Sequence, residues 1–310
     1  MKKSKQAGGT GNSGTHRSGV AAIAGRTNVG KSTLLNRILG QKLSIVSPKA
    51  QTTRQQVLAI LTRPGFQVVF ADTPGVMKPG SPLQEHMIKA SFRALSGADL
   101  SLLIVEATLE RHPDDSLLLE HLKLFKGPRI LAINKIDLVP KEYLLPQIDS
   151  YHRGGLFEAI VPVSALKGEG VEALVGEIVR HLPAGPALYA EDQVAVQPLR
   201  FFASELIRET LYELLREELP YATAVKIDEY REQSGRKTYI LALIYTERDS
   251  QKGIIIGRKG ETLKRIGEVA RKKIEKLAGE PVYLELRVKV KEKWSRNESF
   301  LNMVGYTRDS

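Results

Sequence analysis

The sequence GRTNVGKS, residues Gly25–Ser32, decides the fold of this chain. It matches G-x-x-x-x-G-K-[ST], the pattern of a loop that holds nucleotide phosphates. An apolar strand pattern, Val20–Ala24, comes before it, and a helix-forming run comes after it. Glycines let backbone N–H groups surround phosphates, and the start of a helix adds a favourable dipole. We therefore predict a phosphate-binding loop between a buried strand and a helix.

Two side chains of this loop can act on the phosphates directly. Lys31 can reach the β- and γ-phosphates, and the Ser32 hydroxyl can bind Mg²⁺. The nucleotide contacts that we predict from this segment are Gly25, Arg26, Thr27, Asn28, Val29, Gly30, Lys31, Ser32 and Thr33.

Short apolar strands alternate with longer amphipathic stretches from residue 20 to residue 182. The strand candidates are Val20–Ala24, Val57–Leu61, Gln67–Ala71, Leu100–Val105, Ile130–Ile133 and Ala159–Val163. Most of them are Val, Ile and Leu runs without alternation, as expected for a sheet that helices cover on both faces. This order predicts an α/β domain, a P-loop domain with a doubly wound and mostly parallel sheet. Its ligands should bind at the carboxyl ends of the strands.

A second motif selects the base of the nucleotide. Asn134-Lys135-x-Asp137 follows one of the strand candidates. The Asp137 carboxylate can accept both N1–H and N2–H₂ of guanine, whereas adenine presents only an acceptor at N1. Such pairing discriminates strongly, because the wrong base leaves a buried polar group unpaired. Ser164 and Ala165 end another strand candidate, where a backbone N–H can close the base pocket.

A third motif lies in the stretch ADTPGVMKPG, which follows an apolar run. An aspartate at such a strand end suits a metal ion beside a phosphate, so we assign nucleotide or metal contacts to Asp72, Thr73, Pro74 and Gly75. The next residue is Val76, where the Ras-like enzymes that this segment resembles carry a glutamine that orients the attacking water. Because valine has no polar side-chain atom, the sequence leaves open what holds the water.

The second half of the chain predicts a smaller α+β domain. Residues 183–199 are rich in proline and are interpreted as a linker. Residues 200–296 form the domain, and residues 297–310 are a C-terminal tail. The expected elements are a helix from Ser204, its N-cap, to Leu219, strands Ala222–Tyr230 and Thr238–Thr246, a basic helix that ends near Leu277, and a strand Val282–Lys291.

The segment Gly257-Arg258-Lys259-Gly260 lies between an apolar run and the basic helix. With this element order it matches the G-x-x-G loop of a type II KH domain, whose backbone approaches the sugar-phosphate chain and whose groove holds single-stranded nucleotides. The alternative is a glycine-bounded turn on a solvated basic helix. The RNA contacts that we predict are Lys252, Ile254, Ile256, Gly257, Arg258, Lys259, Gly260, Lys264 and Arg265.

The net charge of +11 is concentrated near the C-terminus of this 310-residue chain. Residues 252–296 contain 14 Lys and Arg against 6 Glu, which favours a polyanionic partner over a merely solvated helix face. The chain contains no cysteine, which excludes disulfides and thiolate metal sites. No apolar run reaches the roughly 18 residues that a transmembrane helix needs. Residues 1–19 are interpreted as a flexible basic tail.

The order and spacing of these motifs resemble the translation-factor-related branch of small GTPases. In that branch KAQTTRQQV, residues 49–57, would be the switch I loop, whose threonine closes on Mg²⁺ and the γ-phosphate. The resemblance implies Thr53 for this role, with Thr52 as the alternative. It also implies that Asp72 holds Mg²⁺ through water and that the Gly75 N–H senses the γ-phosphate.

One such domain followed by one type II KH domain resembles the Era family of bacterial ribosome-assembly GTPases. The segments RDSQKGIIIGRKG and VKVKEKW look like that family's C-terminal motifs. The resemblance implies slow, Mg²⁺-dependent GTP hydrolysis, binding of 16S ribosomal RNA near its 3′ end, a role in 30S subunit assembly, and a cytoplasmic monomer. A peripheral association with the inner face of the cell membrane is a further expectation.

This sequence departs from the family pattern at two positions. Thr27 stands where proline is usual, and Met77 stands where histidine is usual. Asn28 matches the asparagine that holds K⁺ in related potassium-activated GTPases, so Lys31, Thr53, Gly75 and Asn28 are the candidate catalytic groups. Two alternatives remain: a metabolic P-loop phosphotransferase, and a static RNA-binding protein that keeps GTP as a structural ligand, which Val76 favours.

Overall fold

The computed structural model describes residues 15–46, 53–77, 79–108, 112–232, 235 and 237–306. Its larger sheet has six strands in the order β2-β3-β1-β4-β5-β6, in which only β2 is antiparallel to its neighbour. These strands are β1 Arg17–Ala24, β2 Val57–Arg63, β3 Phe66–Asp72, β4 Leu100–Glu106, β5 Arg129–Asn134 and β6 Ala159–Pro162. The helices around them are α1 Lys31–Leu39, α2 Pro82–Ser96, α3 Pro113–Lys123, α4 Leu144–Arg153 and α5 Val171–His181.

The central strands are buried on both faces, as the uninterrupted apolar runs predict. In β4, Leu102 and Ile104 contribute to the core on one side of the sheet. Leu103 and Val105 contribute to the core on the opposite side. The doubly wound α/β fold is therefore confirmed, and every predicted strand is present with ends that differ by at most three residues, the largest difference being the start of β1 at Arg17.

The smaller sheet has three strands in the order β7-β8-β9, with β7 and β8 antiparallel and β8 and β9 parallel. The elements of this domain are α6 Leu199–Leu214, β7 Ala224–Arg231, β8 Thr238–Thr246, α7 Asp249–Ile256, α8 Glu261–Ala278 and β9 Val282–Val290. One apolar core joins helices α6, α7 and α8 to the sheet. The parallel β8–β9 pair is possible because α7 and α8 cross over between the two strands. This arrangement confirms the predicted KH domain.

The predicted N-cap of α6 is wrong. The helix begins at Leu199 after the N-cap Pro198, and the Ser204 hydroxyl donates a hydrogen bond to the Phe201 carbonyl inside the helix. The helix starts early because Phe202 is buried in the core of the larger domain. It ends at Leu214 instead of Leu219, since the chain turns before β7.

The proline-rich segment 183–199 lies along the exposed edge of the larger sheet and is not a free spacer. The Ile60 N–H donates to the Val194 carbonyl over 2.9 Å, and the Val196 N–H donates to the Leu58 carbonyl over 3.1 Å. An edge strand has unpaired backbone groups, and this segment satisfies several of them on β2. Proline content alone could not predict this pairing.

The expected C-terminal tail contains a packed helix, α9 Glu298–Met303. Phe300 and Leu301 of this helix share a cluster with Trp294, and Leu83 and Met87 of α2 join the same cluster. The two domains are therefore in contact through α2, which follows the Asp72 motif in sequence. In the described part of the chain, no helix is long and apolar enough to cross a membrane.

Candidate functional site

The phosphate-binding loop connects β1 to α1, as the sequence predicts. Gly30 is the N-cap of α1 and has a φ of 96°, in the region that favours glycine. A Cβ at this position would lie 2.3 Å from Asn134 Nδ2, so a side chain has no room. The N-terminus of α1 thus opens towards the carboxyl ends of the strands, where its free N–H groups can bind phosphate.

Lys31 is buried and points back into the loop. Its Nζ donates to the Gly25 carbonyl over 3.1 Å and to the Arg26 carbonyl over 2.9 Å. The pKa of Lys31 is lowered to about 8, mainly by burial; Asp72 opposes this shift, and the Arg26 charge contributes to it. A phosphate beside Lys31 would stabilise the ammonium, so this position favours an anionic ligand.

Ser32, Thr53 and Asp72 come together from three separate segments. The Ser32 hydroxyl donates to Asp72 Oδ2 over 3.1 Å and lies 3.2 Å from Thr53 Oγ1. Asp72 is fully buried, and its Oδ1 accepts no hydrogen bond within the described residues. Burial raises the pKa of Asp72, and the nearby Lys31 ammonium opposes this shift.

This oxygen cluster fits a magnesium ion. Mg²⁺ prefers oxygen ligands and is usually held by one or two protein groups together with phosphates and water. A buried carboxylate with an unpaired oxygen would gain a partner from such an ion. Thr53 is the threonine in the cluster, and the alternative, Thr52, lies outside the described residues. In the ranges given above, no group of three or more His, Asp or Glu side chains forms a separate metal site.

The Asn134 side chain connects its own loop to the phosphate-binding loop and to the segment after β6. Its Nδ2 donates to the Val29 carbonyl over 2.7 Å, and its Oδ1 accepts from the Ala165 N–H over 2.9 Å. The predicted base motif is therefore tied to the phosphate-binding loop and to the segment after β6. Sequence alone placed Asn134 among the nucleotide contacts, and its observed hydrogen bonds are to the protein backbone.

Asp137 is half-buried, and its Oδ1 accepts a 2.7 Å hydrogen bond from the Ser164 hydroxyl. That hydrogen bond is the main reason why the pKa of Asp137 is lowered. An ionised carboxylate accepts hydrogen bonds only, which suits the paired N1–H and N2–H₂ donors of guanine. Ser164 therefore orients the group that would read the base.

Glu106 and Asp115 contribute to the site and were missed by the sequence reasoning. Glu106 ends β4, where its carboxylate accepts from Arg26 over 3.0 Å and from Lys135 Nζ over 3.0 Å. Asp115 forms a second ion pair with Arg26, at 3.6 Å. These contacts hold Lys135 of the base motif to the phosphate-binding loop. The sequence feature that could have identified Glu106 is its position as an acidic residue at the carboxyl end of a central strand.

Gly75 and Val76 connect the Asp72 motif to the phosphate-binding loop. A Cβ on Gly75 would lie 2.8 Å from the Thr27 backbone nitrogen, so only glycine fits this close approach. The Val76 N–H donates to the Gly25 carbonyl over 3.2 Å, and its side chain is buried in the core. Thr73 donates to the Ile23 carbonyl over 2.7 Å. Val76 is therefore a packing residue.

The G-x-x-G loop joins α7 to α8 and presents its cations to solvent. Gly257 has a φ of 73°, and a Cβ there would lie 2.2 Å from the Thr262 hydroxyl oxygen. Gly260 is the N-cap of α8, with a φ of 82°. Arg258 and Lys259 between the two glycines are exposed. The loop can therefore approach a phosphate chain closely.

The remaining predicted RNA contacts surround this loop on α7 and α8. Lys264 and Arg265 are exposed on α8, and Lys252 is partly exposed on α7. Ile254 is 54% exposed and Ile256 is half-buried. The structure thus places cations and apolar side chains side by side, as binding of single-stranded nucleotides requires.

Comparison with known proteins supports both domains. The model of the 50S ribosome-binding GTPase family matches residues 20–135, and the KH domain model matches residues 218–295. A curated relative, GTPase Era of Lacticaseibacillus paracasei, is 47% identical over 295 residues, which cover 95% of this chain and 98% of the relative.

Two solved structures match nearly the whole chain. A variant of Aquifex aeolicus Era bound to GDP·AlF₄⁻ has a TM-score of 0.90 and 41% identity, with coverage of 94% of this chain and 100% of that one. A structure of Era with MgGDPNP and nucleotides 1506–1542 of 16S ribosomal RNA has a TM-score of 0.91, 41% identity and the same coverage, 94% and 100%. Together with the identity to the curated relative, these matches show that the chain belongs to the Era family of GTPases.

Proposed function

We propose that this protein is a GTP-hydrolysing switch that binds 16S ribosomal RNA near its 3′ end and acts in 30S subunit assembly. The observation that carries the proposal is the meeting of Ser32, Thr53 and Asp72 beside the buried Lys31. At this position Thr53 can contact both the ion and the phosphates that the phosphate-binding loop would hold. The RNA partner is suggested by the exposed G-x-x-G loop and by the Era structure that contains 16S ribosomal RNA.

The phosphate side of the site would work mainly through charge and position. Lys31 would neutralise the β- and γ-phosphates, and the Gly75 N–H would contact the γ-phosphate. Ser32 and Thr53 would hold Mg²⁺ directly, with Asp72 acting through water. When bound, the ion supplies positive charge to the phosphate oxygens. The relative with MgGDPNP supports this ion.

The base side would select guanine through Asp137, which Ser164 orients by its 2.7 Å hydrogen bond. Lys135 would lie along the base while Glu106 holds its ammonium, 3.0 Å away. Asn134 would act by positioning the loops around the base. Hydrogen bonding of this kind separates guanine from adenine by several orders of magnitude.

Val76 cannot orient the attacking water, because its apolar side chain is buried in the core. We propose that backbone groups of switch I and of the segment that follows Asp72 hold the water. A potassium ion at Asn28 would add positive charge at the phosphates. Asn28 has a φ of 64°, which turns the loop sharply at this residue. Slow intrinsic hydrolysis is the expected consequence.

The KH domain would hold RNA by two kinds of contact. Arg258, Lys259, Lys264 and Arg265 would bind phosphates, which positions the strand without reading its sequence. The apolar groove near Ile254 would receive the bases, where stacking and base-edge contacts give sequence preference. We expect the protein to act as a cytoplasmic monomer on the ribosomal subunit. Peripheral membrane association stays a prediction, because most of the basic tail lies outside the described residues.

Release of phosphate from GTP tests the proposal. Purified protein is incubated with Mg²⁺ and GTP, with and without an oligonucleotide of the 16S 3′ end, in buffers containing K⁺ or Na⁺. We expect slow release that RNA accelerates. No release above background in any buffer would instead favour a static RNA-binding protein with GTP as a structural ligand. A rate that is equal in K⁺ and Na⁺ would remove the role of Asn28 alone.

A further inference from the structure

Arg54 directly follows Thr53 in sequence, and its side chain contacts the KH domain. The side chain is only 2% exposed. All of its described hydrogen-bond acceptors belong to the turn before β7, to α6 or to the C-terminal segment. They are the Thr223 carbonyl at 2.7 Å, the Tyr221 carbonyl at 3.1 Å, the Tyr212 hydroxyl at 3.2 Å, the Tyr306 hydroxyl at 3.3 Å and the Pro220 carbonyl at 3.4 Å.

Two aromatic rings complete the enclosure of this guanidinium. Its central carbon lies 5.6 Å from the centroid of Trp294 and 5.7 Å from that of Tyr306, within the range of cation–π attraction. Burial alone would lower the pKa of Arg54, but the Tyr212 and Tyr306 oxygens more than offset it and the pKa is raised. The group therefore remains charged inside the KH domain, and its withdrawal would remove a donor from the Thr223, Tyr221 and Pro220 carbonyls.

The segment that precedes switch I also contacts the KH domain. Glu209 lies on α6 with a fully buried side chain, and its Oε1 accepts from the Val46 N–H over 3.2 Å. Its Oε2 accepts from Lys42 over 2.8 Å and from Lys273 of α8 over 2.9 Å. Glu209 and Tyr212 are one helical turn apart on α6. Val46 and Arg54 therefore both form hydrogen bonds with side chains of α6.

From these contacts we infer that Arg54 clamps switch I to the KH domain, that Glu209 clamps the segment before it to α6, and that the two contacts couple nucleotide binding to the KH domain. The inference rests on the proposed GTPase function. Because Thr53 and Arg54 are neighbours, Thr53 can stay beside Ser32 and Asp72 only while the Arg54 guanidinium stays in its enclosure. A movement of Thr53 on loss of the γ-phosphate pulls on the KH domain, and a movement of the KH domain displaces Thr53. Arg54 is thus a positioning residue that acts through Thr53.

Thermodynamic linkage turns this geometry into a measurable quantity. If RNA favours one arrangement of the KH domain, it changes the affinity for GTP by the same factor by which GTP changes the affinity for RNA. GDP lacks the γ-phosphate, so its affinity should respond much less to RNA. A role in stability alone would lower the melting temperature without changing the ratio of GTP affinity to GDP affinity.

The test measures GTP-analogue and GDP affinities of the full-length protein, with and without an oligonucleotide of the 16S 3′ end. In the unsubstituted protein we expect RNA to shift GTP-analogue affinity by roughly tenfold, a usual size for coupling between two sites. In Arg54→Ala and Arg54→Lys the shift should fall to within about twofold of none, because neither side chain can replace the guanidinium contacts.

Matched variants separate the clamp from general destabilisation. Arg63 lies nine residues after Arg54 and pairs with Glu172 at 2.7 Å inside the GTPase domain. The Arg63→Ala variant should keep the full RNA-induced shift in GTP-analogue affinity. Glu209→Gln keeps the shape of the side chain and should partly reduce the RNA-induced shift in GTP-analogue affinity. This variant can test the inference if Arg54→Ala does not fold.

Full coupling in folded Arg54→Ala or Arg54→Lys would overturn the inference. An unsubstituted protein that binds both GTP and RNA without coupling would overturn it too, while leaving the proposed function in place. An unsubstituted protein that binds neither ligand would overturn the proposed function itself.

Discussion

The phosphate-binding loop and the G-x-x-G loop are both glycine-bounded turns before a helix, and both carry cations, but they differ in burial. Lys31 of the first is buried and donates to two carbonyls of its own loop. Arg258 and Lys259 of the second are exposed. The cation of the phosphate-binding loop is therefore fixed by contacts within the protein, whereas the G-x-x-G loop keeps its charges in water.

This difference predicts two classes of mutational effect. Substitutions at the nucleotide site break contacts within the protein. They should therefore cause large losses of nucleotide affinity, whose size depends on how closely the new side chain approaches its neighbours. Substitutions of the exposed cations in the G-x-x-G loop should change ligand affinity while leaving the fold intact. In both loops, one glycine is required because a side chain would collide with a neighbouring residue.

The largest effect is expected at the base. Asp137→Asn should reduce binding of GTP and permit xanthosine nucleotides, because the new amide can donate to the 2-oxo group of xanthine. We expect the preference between the two bases to change by roughly a thousandfold, the scale at which buried hydrogen bonding discriminates. Competition between labelled GDP and unlabelled GDP or XDP measures it. Unchanged guanine preference would refute the assignment of the base pocket.

The next effect tests how rigidly the phosphate-binding loop is built. Gly30→Ala places a Cβ 2.3 Å from Asn134 Nδ2 at a φ of 96°. Strain and collision together should weaken GTP binding roughly a hundredfold. Gly40→Ala, at a φ of 67° with nothing within 4 Å, carries backbone strain without collision and is the control. Titration with a fluorescent GTP analogue measures both, and equal affinities of the two variants would contradict the proposed collision.

A smaller effect is expected at the RNA loop. Gly257→Asp adds a side chain where a Cβ would lie 2.2 Å from the Thr262 hydroxyl, and it places a carboxylate where phosphate should bind. RNA affinity should fall at least about 30-fold, since like charges brought together cost several kcal/mol. GTP affinity should be unchanged.

Gly279→Ala is the control for this substitution, because its φ of 73° is the same and nothing lies within 4 Å. Filter binding with the 16S 3′-end oligonucleotide measures both variants. Retained RNA affinity in Gly257→Asp would remove the KH assignment of this loop.

The smallest effect concerns single exposed cations. Lys259→Ala should weaken RNA binding about fivefold and to the same degree for different sequences, because phosphate contacts do not read bases. The slope of log affinity against log salt should decrease by roughly 0.7, the loss of one counterion on a single strand. An unchanged slope would mean that Lys259 does not contact phosphate.

The sequence predicted the parts of the molecule that follow from local pattern. Apolar runs predicted the strands, and the spacing of glycine, lysine and serine predicted the phosphate-binding loop. The G-x-x-G motif and the surrounding helix and strand patterns predicted the KH domain. Each of these depends on residues that are close together in sequence.

The sequence could not predict features that depend on distant partners. Ser204 is a residue type that commonly caps helices. However, α6 begins earlier, at Leu199, because Phe202 is buried in the core of the larger domain. No local sequence pattern marks Arg54, and only tertiary structure reveals its enclosure by the KH domain. Glu106 likewise acts through residues that are 80 and 29 positions away.

The most direct test of the account is single-turnover hydrolysis of GTP by Thr53→Ala beside Thr52→Ala. We predict that Thr53→Ala lowers the rate roughly a hundredfold, the usual cost of losing one group that stabilises the transition state. GDP affinity should change by no more than about twofold, because GDP has no γ-phosphate for switch I to close on. Thr52→Ala should retain most of the rate. An unchanged rate in Thr53→Ala would contradict the role of switch I on which the whole account depends.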